Sequence, residues 1–291
     1  MNFDKYCKMI ECKVSMYLGS DYEVSLRKVT KNNGVVLTGI MARLEGNDIC
    51  PTLYLDDYYD EMLTADEIEY IGLKIANGLR GVPKQEYPDV SQFMNYENAG
   101  ERIVYKLINA EANKELLLDA PHRRFHNLAI VCFYADDTNG SLMSILIRNE
   151  QLKMWGIEEE ELFTKADSNT PKRFPGQLRT ISDMVNDLCD LDITDDVNMY
   201  VLTNEKKMYG AATMLYPDML REAYNRMGGD FYILPSSVHE LVLVPKDMTA
   251  DAKGLLEMVT QINNSEVCEE EVLADSVYYY NGESGCVEWI C

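Results

Sequence analysis

The chain has 291 residues, of which 49 are Asp or Glu and 27 are Lys or Arg, so its formal net charge is -22. Hydrophobic residues make up 46% of the chain, enough to bury a core without disulfides or metals, which excludes extensive disorder. A surface of this sign repels phosphate groups, so the composition disfavours direct binding to nucleic acid or to anionic membranes. It is compatible with a basic protein partner.

Localisation is predicted from the same composition. No stretch approaches the roughly 20 consecutive apolar residues of a membrane span, and the first residues lack the basic start and apolar run of a signal peptide. The eight cysteines form no Cys-x-x-Cys pair. We therefore expect a cytoplasmic protein with reduced thiols.

The N-terminal third has clear local patterns. Helical spacing of apolar residues and strand-like runs around an Asn-Asn-Gly turn predict one helix and three strands, and a Thr64–Glu67 capping box predicts a second helix. The predicted helix and strands are Phe3–Leu18, Tyr22–Thr30, Val35–Leu44 and Thr52–Leu55. This pattern gives a small α-β-β-β-α unit over residues 1–95.

The remaining residues, 96–291, are expected to form a larger α+β domain. Predicted there are a strand over Met208–Leu215, a helix from Pro217 to the Gly228-Gly229 stop, and helices capped by Asn149 and by Thr249. Asn and Gly turns between apolar runs favour hairpins. The fold class is therefore predicted to be α+β, with mostly antiparallel sheets and flanking helices.

Ser236, His239 and Glu240 are the candidate catalytic residues, because serine, imidazole and carboxylate are the groups of a hydrolase. Hydrolytic triads usually converge from distant segments, whereas these residues are nearly consecutive. The sequence also lacks a Gly-x-Ser-x-Gly elbow. A turn in which the serines bond the backbone is the favoured interpretation.

His122 and His126 are the candidate metal ligands, because an i, i+4 spacing places two imidazoles on one face of a helix. Pro121 and Asn127 instead suggest a loop that enters a strand, and no Glu follows His122 as in metalloproteases. The sequence favours the absence of a metal. It contains no Walker loop, Gly-x-Gly-x-x-Gly fingerprint or kinase signature, so no cofactor is expected.

Acidic and aromatic groups suggest an interaction surface. Tyrosine outnumbers phenylalanine by 19 to 7, and its polar tip suits grooves and interfaces. Acidic runs lie at Asp56–Glu61, Glu158–Glu161, Asp192–Asp196 and Glu269–Glu271. Carboxylates spaced like phosphates on one face would make the chain a decoy of nucleic acid, whereas dispersed carboxylates would only solubilise it.

Four segments resemble an uncharacterised bacterial family of unknown function, found mostly in gut Firmicutes. They are Val29–Gly34, Ile49–Tyr54, Ile147–Gly156 and Ile233–Glu240. The resemblance spans nearly the whole chain. It implies a bacterial intracellular protein, but no activity and no functional residues.

The sequence favours a cytoplasmic binding or regulatory protein over an enzyme, with an acidic, tyrosine-rich surface that meets a basic protein. The first alternative is a hydrolase or metal-dependent enzyme that uses His239 or His122. The second is an acidic decoy of nucleic acid. The partner and the oligomeric state are left open.

Overall fold

The computed structural model describes residues 1–44, 50–80, 91–136, 143–189, 198–248 and 251–291, without the side chains of Val185, Asp187, Leu188 and Cys189. The chain divides into two compact units. The first comprises Met1–Lys31 and Val35–Asp89, and the second comprises Asn32–Gly34 and Val90–Cys291. Across the described ranges, every helix is too short or too polar to cross a membrane.

The first unit has a three-stranded antiparallel sheet in the order β1-β2-β3. Its elements are α1 (Phe3–Leu18), β1 (Tyr22–Thr30), β2 (Val36–Leu44), β3 (Thr52–Tyr54) and α2 (Ala65–Arg80). The core of this unit lies between the sheet and the apolar faces of both helices, where Ile10 and Ile75 pack with Ile40 of β2. The predicted pattern of elements is confirmed.

Two antiparallel sheets form the second unit. Its strands are β4 (Ile103–Asn109), β5 (His122–Phe125), β6 (Leu128–Asp136), β7 (Met143–Leu146), β8 (Gly176–Thr180), β9 (Tyr200–Asn204), β10 (Phe231–Leu234), β11 (Leu241–Pro245), β12 (Tyr278–Asn281) and β13 (Cys286–Trp289). The larger sheet has the order β13-β12-β10-β11-β9-β8. In the smaller sheet β6 pairs with β4, β5 and β7.

Helices flank these sheets. They are α3 (Ser91–Met94), α4 (Tyr96–Ala99), α5 (Lys114–Leu117), α6 (Asn149–Trp155), α7 (Glu159–Arg173), α8 (Ile181–Cys189), α9 (Pro217–Met227) and α10 (Ala252–Ser265). Leu220 of α9 joins the core that contains Phe231 of the larger sheet, while Val259 of α10 packs with Val244 in a separate cluster. The antiparallel α+β class is confirmed.

Two local predictions are wrong, and a third concerns a residue outside those that the structure describes. Residues Met208–Leu215 were expected to be a strand, but Gly210–Leu215 form a 3-10 helix because the backbone turns sharply after the left-handed Tyr209. Asn149 does not cap α6: it is the first helical residue, and Gln151 accepts a hydrogen bond from the backbone of Arg148 instead. Asp251 caps α10, and the predicted cap Thr249 lies outside the described residues.

Candidate functional site

The segment between β10 and β11 carries the candidate catalytic residues, and a distant segment holds it in place. The amide of Val238 donates to Glu271 O at 2.8 Å, and the amide of Leu273 donates to Ser236 O at 3.0 Å. Ser237 forms an isolated antiparallel bridge with Val272. His239 is therefore held beside the 3-10 helix Glu269–Glu271.

The two ring nitrogens of His239 have different neighbours. Nδ1 accepts a hydrogen bond from the backbone N–H of Tyr209 at 3.2 Å. Nε2 lies 3.5 Å from Oε1 of Glu271. Because an acceptor nitrogen carries no hydrogen, the ring is assigned as the Nε2–H tautomer, with that hydrogen facing the carboxylate. The His239 side chain is 29% exposed, so solvent reaches the pair.

Tyr209 belongs to a tightly held loop after β9. Lys207 and Tyr209 have φ angles of 52° and 54°, in the left-handed region that non-glycine residues seldom adopt. The Asn204 side chain fixes this loop, since Oδ1 accepts from the Lys206 amide at 3.0 Å and Nδ2 donates to Met208 O at 2.8 Å. Backbone strain of this kind is concentrated at functional sites.

Gly210 lets the loop approach His239 closely. A Cβ atom at this position would lie 2.3 Å from His239 O and 2.2 Å from Thr203 Oγ1. The Thr203 hydroxyl itself donates to His239 O at 2.8 Å. No side chain fits between the loop and the His239 backbone, so glycine is required for this packing.

Aromatic and cationic groups complete the site. The Tyr209 and His239 rings are stacked, with centroids 5.7 Å apart and planes 16° apart. The ammonium of Lys106 lies 4.1 Å from the centroid of the Tyr209 ring, and Phe133 meets that ring edge to face. Lys106 is half-buried and has no carboxylate partner among the described residues. A cation over an aromatic face is a favourable pair.

The predicted serine, histidine and glutamate do not form a triad around the imidazole. Ser237 Oγ accepts a hydrogen bond from the backbone N–H of His239 at 3.1 Å, so this hydroxyl serves the turn. In the described part of the chain no hydroxyl group hydrogen-bonds to the His239 ring. Ser236 contributes its carbonyl, and the carboxylate at the ring belongs to Glu271 rather than to Glu240. A catalytic role for His239 stays a prediction.

His122 and His126 lie on a β-hairpin. His122 is the first residue of β5, and its Nδ1 lies 2.9 Å from Ala120 O. His126 occupies the two-residue turn before β6 with φ 54°, and its Nε2 lies 3.0 Å from Val287 O. One nitrogen of each ring therefore faces a backbone carbonyl. Within the described ranges no three His, Cys, Asp or Glu side chains are grouped to hold a metal ion.

Sequence reasoning missed Tyr209, Glu271 and Lys106. In the sequence Glu271 is one residue of the acidic run Glu269–Glu271, and Tyr209 lies within the predicted strand Met208–Leu215. The flanking Asn204 and Gly210, both frequent in turns, could have marked the Tyr209 segment as a loop. Nothing local marks Lys106, because it lies within an ordinary strand pattern.

Comparisons with known proteins give one result. The model of a family described as "Family of unknown function (DUF5688)" matches residues 3–282. Searches of curated proteins and of solved structures gave no significant match.

Proposed function

Because the chain belongs to DUF5688, a family of unknown function, we propose a function from its own chemistry: it is a non-catalytic binding or regulatory protein that recognises a basic protein. The proposal places the binding energy in the acidic surface alone, because Tyr70 is the one exposed tyrosine among the described residues. It requires no cofactor and no metal.

The observation that carries this proposal is the excess of carboxylates. Even if every Lys and Arg paired with one acidic group, 22 carboxylates would remain without a cation, as the net charge states. Some of them are concentrated: all four residues of Glu158–Glu161 are exposed at the start of α7. Such a surface attracts a basic protein over a distance of about 10 Å at 0.1 M salt.

The His239 site supports the non-catalytic half of the proposal. A hydrolytic histidine needs one nitrogen for the nucleophile and the other for a carboxylate. Here Nδ1 is occupied by the Tyr209 backbone N–H, and Nε2 faces Glu271. We therefore assign His239 to holding the Tyr209 loop.

One observation favours an enzyme as the second candidate. His239 and Glu271 form a partly exposed imidazole–carboxylate pair, brought together from separate segments. Such a pair can move a proton if a substrate supplies the reacting group. Assays of ester and amide hydrolysis with wild type and His239→Gln test this candidate, which requires an activity that the variant loses.

The binding function is tested by capture of partners from a bacterial lysate on the immobilised protein at low and physiological salt. A captured protein is then purified and titrated against the chain alone. The proposal expects a basic partner that binds stoichiometrically and more weakly as salt is raised. Binding of neutral proteins alone, or affinity that does not depend on salt, would contradict it.

A further inference from the structure

A cavity of about 300 Å³ opens in the second unit where α9 ends. It is lined by Met227–Asp230 and Pro245–Asp247. Phe231, the first residue of β10, pairs with Pro245, the last residue of the antiparallel strand β11. The segment just before β10 and the segment just after β11 therefore lie side by side at one end of the sheet. The cavity is thus built from three structural elements rather than from one loop.

The end of α9 gives this cavity a negative wall. Gly228 is left-handed, and the amides of Gly228 and Gly229 both donate to Tyr224 O. The helix therefore stops at the cavity, and the C-terminal end of a helix carries about half a negative charge.

Two carboxylates add to that charge. Asp230 accepts hydrogen bonds from the Tyr279 hydroxyl and, at 2.9 Å, from the Gly282 amide, and these two bonds hold its pKa below the usual range. Asp230 is therefore ionised at neutral pH. Asp247 is exposed and makes no ion pair with any residue the structure describes.

One cation lines the same cavity, but it is already engaged. Lys246 Nζ donates to the Tyr279 hydroxyl at 2.6 Å and lies 3.9 Å from Asp230 Oδ2. It also lies 4.8 Å from the centroid of the Tyr279 ring. Lys246 thus offsets Asp230. Arg226 in the last turn of α9 is itself paired with Glu222, so Asp247 and the end of α9 keep their negative charge.

We propose that this cavity receives an arginine side chain of the basic protein partner. The proposal rests on the binding function proposed above and names where that partner is held. A guanidinium group presents five donors in one plane, so it can bond both oxygens of the Asp247 carboxylate beside the negative end of α9. Its weaker hydration favours it over the ammonium of lysine in a concave site.

The structure supplies variants that separate the cavity from the general acidity. Gly229 lines the cavity, its φ lies outside the left-handed region, and a Cβ there meets nothing within 4 Å, so Gly229→Trp adds an indole at the cavity wall without backbone strain. Asp247→Asn removes one charge from it. The matched controls are Gly254→Trp and Glu257→Gln, which make the same kinds of change on the exposed face of α10.

The probe is a fluorescent, end-blocked peptide of alternating glycine and arginine, with matched peptides that carry lysine or the neutral analogue citrulline. Fluorescence anisotropy at low salt measures binding to the intact chain, and thermal unfolding checks that every variant folds. We expect Asp247→Asn to weaken binding of the arginine peptide about fivefold or more, and Gly229→Trp to weaken it further. Both controls should change binding less than about twofold.

Each contrary result has a separate meaning. Equal binding of the arginine peptide to wild type and to both cavity variants would overturn the cavity proposal and leave the binding function standing. Equal affinity for the lysine peptide would overturn the assignment to arginine. Equal affinity for the citrulline peptide, or no binding of the arginine peptide to wild type, would overturn the cavity proposal and count against recognition of a basic protein.

Discussion

At the scale of single residues, Gly210 shows that the His239 site depends on close contact between the backbone of the Tyr209 loop and the backbone of His239. We predict that Gly210→Ala lowers the free energy of unfolding by about 3 kcal/mol, because its Cβ would overlap His239 O and Thr203 Oγ1. Gly229→Ala is the control, since a Cβ there has open space. Urea denaturation measures both changes, and equal stabilities of the two variants would contradict the packing argument.

Cysteine reactivity reports on burial. Burial raises the pKa of the Cys7 thiol to about 11 and holds that of Cys132 well above its usual value. Because the thiolate is the nucleophile, iodoacetamide should modify the exposed Cys12, Cys268 and Cys286 of the folded protein before either of these two. Peptide mass spectrometry over time measures the order, and denatured protein, in which the difference should vanish, is the control.

Asp230 makes the stability of the folded protein depend on pH, and the direction of this dependence follows from the hydrogen bonds of its carboxylate. The pKa of Asp230 is lower in the folded protein than in the unfolded protein. The ionised carboxylate therefore stabilises the fold fully at pH values above the unfolded-state pKa, and this stabilisation is lost as the pH falls through the folded-state pKa. Wild type should therefore lose more stability than Asp230→Asn between about pH 5 and pH 2. Parallel loss of stability in both proteins, measured by urea denaturation at each pH, would argue against this.

At the scale of elements, α2 is fixed by a capping box that the sequence predicts. The Glu67 amide donates to Thr64 Oγ1 at 3.3 Å, and the Thr64 amide donates to Glu67 Oε2 at 2.8 Å. Thr64→Ala should cost about 1 kcal/mol of stability, whereas Thr64→Ser, which keeps the hydroxyl, should cost much less. Chemical denaturation followed by circular dichroism compares them, and equal losses would show that the hydroxyl is not the stabilising group.

Strands were harder to predict than helices. The strands β5, β8 and β13 were not predicted, and each has a short or polar pattern. Arg123 and Arg124 in β5 give it no apolar alternation, yet β5 pairs in register with β6. A strand forms only when its backbone hydrogen-bonds to a neighbouring strand, so the residues of the strand alone are not enough to predict it.

At the scale of the whole molecule, the net charge of -22 makes the chain repel itself. Raising salt from about 10 mM to about 150 mM shortens the Debye length from roughly 30 Å to roughly 8 Å, which screens that repulsion. We predict that the thermal unfolding temperature rises over this range. A fall would mean that attractive ion pairs outweigh the repulsion; sucrose at matched osmolality is the control for general solvent effects.

The sequence by itself determined those features that depend on residues close together along the chain, such as where a helix begins and ends. Helix α1 has its predicted bounds because apolar residues recur at helical spacing, and α9 begins at Pro217 and stops at Gly228 because of their backbone preferences. The α+β class follows from local patterns, and the negative net charge follows from composition.

Only the tertiary structure decided the surroundings of His239. Its carboxylate neighbour is Glu271 rather than the adjacent Glu240, and its ring partner Tyr209 lies 30 residues away in the sequence. Lys106 arrives from the other sheet of the same unit. Local propensity cannot specify such contacts, because they form only when the core and the β-ladders bring distant segments together.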